Sequence, residues 1–259
     1  PDFRLGAAGN IALELVAKTP PDGYTLILTS TGFVISPSLF PKLGYDPFRD
    51  FVPITLLASV PNVMVVHPSV PAKSLAELAK LAKAHPGKLN FGSGGIGSSA
   101  QLGSELFKTL NKINIVHVPY KGAAIAMTAM LSGEVDMVTS SVPATIPLVN
   151  SGKIRALAVT AQNRVPALPN VPTTVEAGMP ELIVITWWCL LAPAGTKPDI
   201  IEYLNAAVVK LMNSPEVKSK LAQVDVDTLT STPAELGKFA RDENEKWGRV
   251  IKEANIRLR

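Results

Sequence analysis

This chain is poor in the residues that most often carry chemistry. Its 259 residues include one cysteine and three histidines. The lone Cys189 excludes an internal disulfide. Its place in the apolar run Trp187-Trp188-Cys189-Leu190-Leu191 argues for packing rather than catalysis. His67, His85 and His117 are dispersed, without metal-ligand spacing and without an accompanying carboxylate pair. Neither a metal site nor a histidine-based acid–base pair is therefore expected, and each histidine reads as structural. Charge of one sign is scarce as well. The net charge is +4, basic and acidic residues interleave from Lys238 to Lys252, and no aromatic stripe accompanies them. That pattern argues against nucleic acid as a partner, while a mild positive bias suits small anions. The longest apolar run, Leu182 to Ala194, is too short to span a bilayer and carries Thr186. No signal peptide is visible, and the abrupt start at Pro1-Asp2-Phe3 leads us to expect further residues upstream.

What is present is a core-forming composition. Hydrophobic residues make up 47% and charged residues 18%, and the 22 prolines and 18 glycines are dispersed among apolar runs. The length allows one large or two modest domains. Strand and helix patterns alternate, which predicts an α/β fold with mostly parallel sheets. Helices are expected over Asn10–Lys18, Leu75–Ala84 behind the N-cap Ser74, Ala123–Leu131, Pro143–Asn150, Pro198–Met212, Pro215–Leu221 and Pro233–Ala254. Two long extended runs, Phe51–His67 and Leu182–Leu191, flank a central block with its own alternation. We therefore expect two lobes joined by two crossover strands, residues 1–64 with 187–259 and residues 65–186, with a cleft between them. One continuous sheet is the alternative.

The densest motif is Phe91-Gly92-Ser93-Gly94-Gly95-Ile96-Gly97-Ser98-Ser99-Ala100-Gln101-Leu102, between a short strand and a helix. Gly92, Gly94 and Gly97 match the dinucleotide fingerprint. The next strand, however, ends in His117-Val118-Pro119-Tyr120 where a ribose-binding acid belongs. A phosphate loop would need Lys-Ser/Thr where this chain has Ser98-Ser99. A nucleophile elbow is absent. An anion cradle survives, with hydroxyls from Ser93, Ser98 and Ser99 and amides from Gly97 onward. An ordinary serine-capped turn is the plainer reading. Short polar residues end other predicted strands: Ser30-Thr31, Tyr120-Lys121 and Thr139-Ser140-Ser141. Ligands of open α/β sheets sit beyond such ends, although each residue alone also serves as a helix cap. Lys121 either neutralises an anion or is simply solvated. Alternation along the second extended run sends one of Trp187 and Trp188 inward and the other outward.

Taken in order, several strings resemble one known family. They are Ala8-Gly9-Asn10, Pro20-Pro21-Asp22-Gly23-Tyr24-Thr25-Leu26, Val66-His67-Pro68-Ser69-Val70-Pro71, the glycine turn, Val118-Pro119-Tyr120-Lys121-Gly122, Gly152 to Thr160, Val171-Pro172-Thr173, Glu176-Ala177-Gly178 and Leu191 to Thr196. The set resembles the Bug-type solute receptors of tripartite tricarboxylate transporters, over nearly the whole chain. The resemblance implies a periplasmic, two-lobed type II binding protein that closes like a flytrap on a small carboxylate. It also implies delivery to membrane transporter subunits or to a sensor protein. No catalysis, cofactor or metal is implied, and we expect a monomer. A nucleotide-dependent enzyme using Gly92–Gly97 is the rival from another class.

The resemblance maps the carboxylate site onto Ser93, Gly97, Ser98 and Ser99, with Ser30 and Thr31 as another wall; Lys121, Thr139 and Ser140 at the other strand ends and Gln101 in the helix after the turn complete the candidate ligand residues. Three departures from the family pattern stand out. The family's upstream strand, helix and glycine-rich loop would precede Pro1. Gln101 stands where relatives often have His. Thr139-Ser140 stands where relatives often have Asp-Ser, which removes an acidic partner for an amino group. Amino acids are therefore expected to bind less well than plain mono- or dicarboxylates.

Overall fold

The computed structural model describes residues 2, 9–40, 42–223 and 226–256; Ala8 and the other residues before Gly9, apart from Asp2, lie outside them. In chain order the elements are α1 (Asn10–Val16), β1 (Ile27–Ser30), α2 (Gly32–Leu39), β2 (Phe51–Val66), α3 (Leu75–Ala84), β3 (Asn90–Ser93), α4 (Ser99–Asn111), β4 (Val116–Pro119), α5 (Ala123–Leu131), β5 (Met137–Ser141), α6 (Val142–Asn150), β6 (Arg155–Val159), β7 (Ile185–Pro193), α7 (Pro198–Met212), α8 (Pro215–Ala222), β8 (Asp227–Thr228) and α9 (Pro233–Glu253). Two units result, residues 1–59 with 187–259 and residues 60–186. The chain leaves the first unit within β2 and returns within β7.

In the first unit β7 lies between β1 and the first half of β2. β1 pairs with β7 antiparallel, and the short β8 adds to β2 at Ala58 and Ser59. An aromatic group fills the core, with Phe33 edge-on to Phe51 at 6.0 Å and Tyr45 edge-on to Phe51 at 5.8 Å. The sequence did not announce α2. Its β-branched Val34 and Ile35 and its internal Pro37 all weaken a helix. It forms because Phe33, Val34, Ile35 and Leu39 are buried and the helix packs on α9. Burying each such side chain is worth about 1.5–3 kcal/mol, which outweighs the propensity penalty. α9 itself starts where the sequence placed it, with a reciprocal capping box between Thr232 and Glu235 and a proline in its first turn.

In the second unit the last residues of β2 pair antiparallel with β5 and with β6. β3 then pairs parallel with both β5 and β4. The parallel sheet expected from sequence is thus confined to β5, β3 and β4. β2 is antiparallel to its partners because it enters as a long crossover strand rather than as part of a strand–helix–strand unit. The core gathers Val63 and Val65 of β2, Ala129 and Met130 of α5, and Val138, Val142 and Val159. Three buried residues lock the segment preceding β7 to this sheet. Thr160 donates through Oγ1 to the carbonyls of Asn62 (3.0 Å) and Val184 (2.7 Å), and Asn62 Nδ2 donates to Val184 O (3.0 Å).

Candidate ligand site at the glycine turn

Because β5, β3 and β4 run parallel, their carboxyl ends lie along one edge of the second unit. β3 ends at Ser93, β4 at Pro119 and β5 at Ser141, and α4, α5 and α6 begin just beyond. None of these helices has an acidic residue in its first turn. Their amino-terminal N–H groups therefore present partial positive charge without an internal counter-charge. The turn and α5 approach closely at Gly94, where a Cβ would lie 2.9 Å from Ala123 N. Gly97 adopts a φ of 81°, a left-handed conformation that admits the tight entry into α4.

The polar groups of the turn are largely spent on one another. Ser98 caps α4, its Oγ accepting from Gln101 N at 3.3 Å and donating to Gly95 O at 2.8 Å. Ser93 is fully buried, and its Oγ meets His117 Nε2 at 2.7 Å. Gly97 N–H donates to Gln101 Oε1 at 2.7 Å, and the other end of that carboxamide meets His117 Nδ1 at 3.3 Å. What remains open is the start of α4. The first i→i−4 bond is made by Leu102 N to Ser98 O, so the amides of Ser99 and Ala100 have no acceptor within the helix. Beside them the Ser99 hydroxyl pairs with Thr186 Oγ1 at 3.1 Å.

Ser93, Gly97, Ser98 and Gln101 thus form one hydrogen-bonded cluster, and Ser99 follows it in the chain with its hydroxyl on Thr186. The Gln101 side chain, expected to face a ligand, instead points back into the turn and is buried. Thr139 is also fully buried, with its hydroxyl on Ser104 Oγ at 2.9 Å. Ser140 follows it in β5, and Lys121 is exposed at the end of β4. Ser30 and Thr31 belong to the first unit. Ser30 Oγ donates to Trp187 O at 2.6 Å, whereas the buried Thr31 Oγ1 has no hydrogen-bond partner.

Sequence reasoning treated His117 as a strand residue only. The parallel register aligns it with Phe91, and its ring stacks on that phenyl at 4.7 Å. A period-2 reading of β3 would have revealed that Phe91 and Ser93 share a face beside it. Burial, assisted by the Lys108 charge, lowers the His117 pKa to about 4. The Ser93–His117 contact looks like a nucleophile with its base, yet the protonation pattern opposes that role. The Gln101 nitrogen is a donor, so Nδ1 accepts and the ring proton sits on Nε2, facing Ser93. A protonated Nε2 cannot remove the serine proton. Among the described residues no group of three His, Cys, Asp or Glu side chains is placed to hold a metal, and no helix is long and apolar enough to cross a membrane.

Comparison with known proteins identifies the family. The profile of the family described as tripartite tricarboxylate transporter family receptor matches residues 2–256. The structure of R. palustris Rpa4515 with adipate is 36% identical with a TM-score of 0.86, covering 98% of this chain and 86% of that one. The periplasmic binding protein BugD is 30% identical with a TM-score of 0.82, covering 98% and 86%. MatC (Rpa3494) from Rhodopseudomonas palustris, with bound malate, is 33% identical with a TM-score of 0.80, covering 95% and 85%. The α/β fold with its two crossover strands is accordingly the two-lobed type II periplasmic-binding-protein fold.

Proposed function

We propose that this chain, which belongs to the tripartite tricarboxylate transporter receptor family, captures a small dicarboxylate in the periplasm and presents it to a membrane transporter without chemistry on the ligand. The observation that carries this reading is the start of α4. Two amides without an acceptor in the helix lie there beside the Ser99 hydroxyl, which shares a hydrogen bond with Thr186, at an edge where α5 and α6 also begin and none of the first turns holds an acid. Relatives that were solved with adipate and with malate support the same ligand class. The nearby Lys121 and Ser140 of the same unit are assigned as secondary contacts. Thr139 carries no negative charge and its hydroxyl is already paired, so an ammonium group on the ligand meets no counter-ion there.

Isothermal titration calorimetry tests the reading. Adipate, malate and succinate are titrated against aspartate and glutamate. The plain dicarboxylates are expected to bind, and the amino acids at least about tenfold more weakly, because their ammonium group gives up hydration without gaining a counter-ion. Aspartate binding more tightly than succinate would overturn the preference. An absence of heat with every acid in the panel would overturn the receptor assignment for this ligand class. Ser99→Ala is expected to weaken dicarboxylate binding roughly tenfold, the worth of one hydrogen bond.

A further inference from the structure

The hydrogen bonds beneath the glycine turn form one directed circuit. Gly97 N–H donates to Gln101 Oε1 (2.7 Å), which fixes the amide orientation and leaves Gln101 Nε2 to donate to His117 Nδ1 (3.3 Å). His117 must then carry its single proton on Nε2, which donates to Ser93 Oγ (2.7 Å). Ser93 passes its own proton to Gly95 O (3.2 Å). The circuit starts on the amide of Gly97 and ends on the carbonyl of Gly95, only two residues away. Three side chains from β3, α4 and β4 therefore clamp both sides of Ile96. Every donor points the same way around the loop, the arrangement in which hydrogen bonds reinforce one another. The clamp is buried: Ser93 is 0% exposed and Gln101 3% exposed.

We propose that Gln101 and His117 are positioning residues for ligand binding: the singly protonated imidazole and the carboxamide hold the Gly95–Gly97 turn in the one form that leaves the Ser99 and Ala100 amides open to an anion. This deepens the receptor reading above and rests on it. The circuit requires Nδ1 to accept, so an imidazolium, which donates from both nitrogens, breaks it at Gln101. The charged groups facing the ring come from α4. Lys108 lies 5.5 Å from the Phe91 ring on which His117 stacks, and it pairs with Glu105 at 2.7 Å. β3 presents only Phe91 and Ser93, and the β4 neighbours Val116 and Val118 are uncharged. Both Lys108 and the burial keep the ring neutral, in agreement with its pKa of about 4. The turn therefore keeps its binding form across neutral and mildly acidic pH, and it does so without placing a charge of its own beside the ligand.

Two measurements test this. Long-range nitrogen–proton NMR of the wild-type chain, which needs no variant, is expected to show His117 as the Nε2–H tautomer at pH 7; an Nδ1–H tautomer or an imidazolium there would overturn the circuit. Adipate and malate calorimetry is then run on Gln101→Leu, on His117→Phe, which keeps a ring to stack on Phe91, and on the double variant. Each single change is expected to weaken binding at least about tenfold, the worth of one lost hydrogen bond. The double variant is expected to bind about as weakly as either single one, because one break opens the whole circuit. Protonation of the acids themselves weakens binding below about pH 5.5 in every variant; wild-type affinity should fall further than that of His117→Phe as pH approaches the His117 pKa of about 4. Single variants that bind as tightly as wild type, or losses that simply add, would overturn the positioning role while leaving the receptor reading intact. A wild-type protein that binds neither acid defeats the receptor reading, and the positioning proposal with it, even where the NMR tautomer stands.

Discussion

Trp187 and Trp247 share one acceptor: both indole N–H groups donate to Glu243 Oε2, at 3.2 and 2.8 Å. Trp187 opens the return segment of the first unit and is fully buried, while its neighbour Trp188 is partly exposed, the alternation expected of a strand. Glu243 and Trp247 are one turn apart on α9, so a single carboxylate ties that helix to β7. Glu243→Leu would leave two buried donors without an acceptor, each costing about 1–3 kcal/mol. Guanidinium unfolding followed by tryptophan fluorescence should therefore show a loss of about 2–6 kcal/mol for Glu243→Leu. Glu243→Gln, which keeps an oxygen facing the indoles, should lose less than half of that. Equal losses for the two variants would show that acceptance by the carboxylate oxygen is not what matters.

Gly94 is needed for space rather than for conformational freedom. A Cβ there would meet Ala123 N at 2.9 Å and Gly122 C at 3.2 Å, both backbone atoms that cannot rotate away. Gly94→Ala should force α5 away from the turn, cost about 1–3 kcal/mol of stability and weaken dicarboxylate binding. At Gly92 the nearest atoms are side-chain methyl and ring carbons, beginning with Val135 Cγ2 at 3.1 Å, so Gly92→Ala should cost less. The reverse order in urea midpoints would contradict this account.

His117 also predicts a pH dependence of stability. Its pKa falls from 6.5 in the unfolded chain to about 4 in the fold, through burial first and the Lys108 charge second. As pH drops, the unfolded chain binds the proton before the folded one does. The stabilisation is therefore fully present above about pH 6.5 and is lost progressively toward about pH 4. Glu105 works in the opposite sense, since burial raises its pKa and the fold takes up that proton first. Glu105 is present in both wild type and His117→Phe, so its effect cancels in their difference. Urea titrations from pH 7.5 to 4 should show wild type losing stability faster than His117→Phe; parallel profiles would remove the linkage.

Cys189 should behave as a reporter of unfolding. It is fully buried in β7, and burial alone lifts its thiol to about 12, which starves it of the reactive thiolate. Alkylation of the native protein at pH 8 should be negligible over hours and become complete on adding denaturant. Rapid native labelling would mean that β7 opens readily.

Much of this was legible in the amino-acid order. Ser74 and the serine cap of the glycine turn were readable because an N-cap hydroxyl acts on backbone only three residues away; Ser74 and Ser98 do so here, and Thr232 does the same at α9. The prolines at 198, 215 and 233 mark helix starts for the same local reason. The two long extended runs were visible because their apolar content is continuous. α2 was not legible, since its local propensity opposes a helix and burial on α9 overrides it.

The glycine turn follows the same division. Its place between a strand and a helix, its freedom from acidic residues and the family that it signals are properties of the sequence alone, because they depend on residues adjacent in the chain. Which of its donors stay without a partner was decided only by the tertiary structure. The register of β3 against β4 brings His117, 24 positions along the chain, onto Ser93, and the first turn of α4 swings Gln101 back onto Gly97. Those two contacts consume groups that a sequence reading would offer to a ligand, while the amides of Ser99 and Ala100 keep no acceptor within α4. A hydrogen-bond donor can serve one strong acceptor at a time, and the competition among distant acceptors is settled only when the chain has folded.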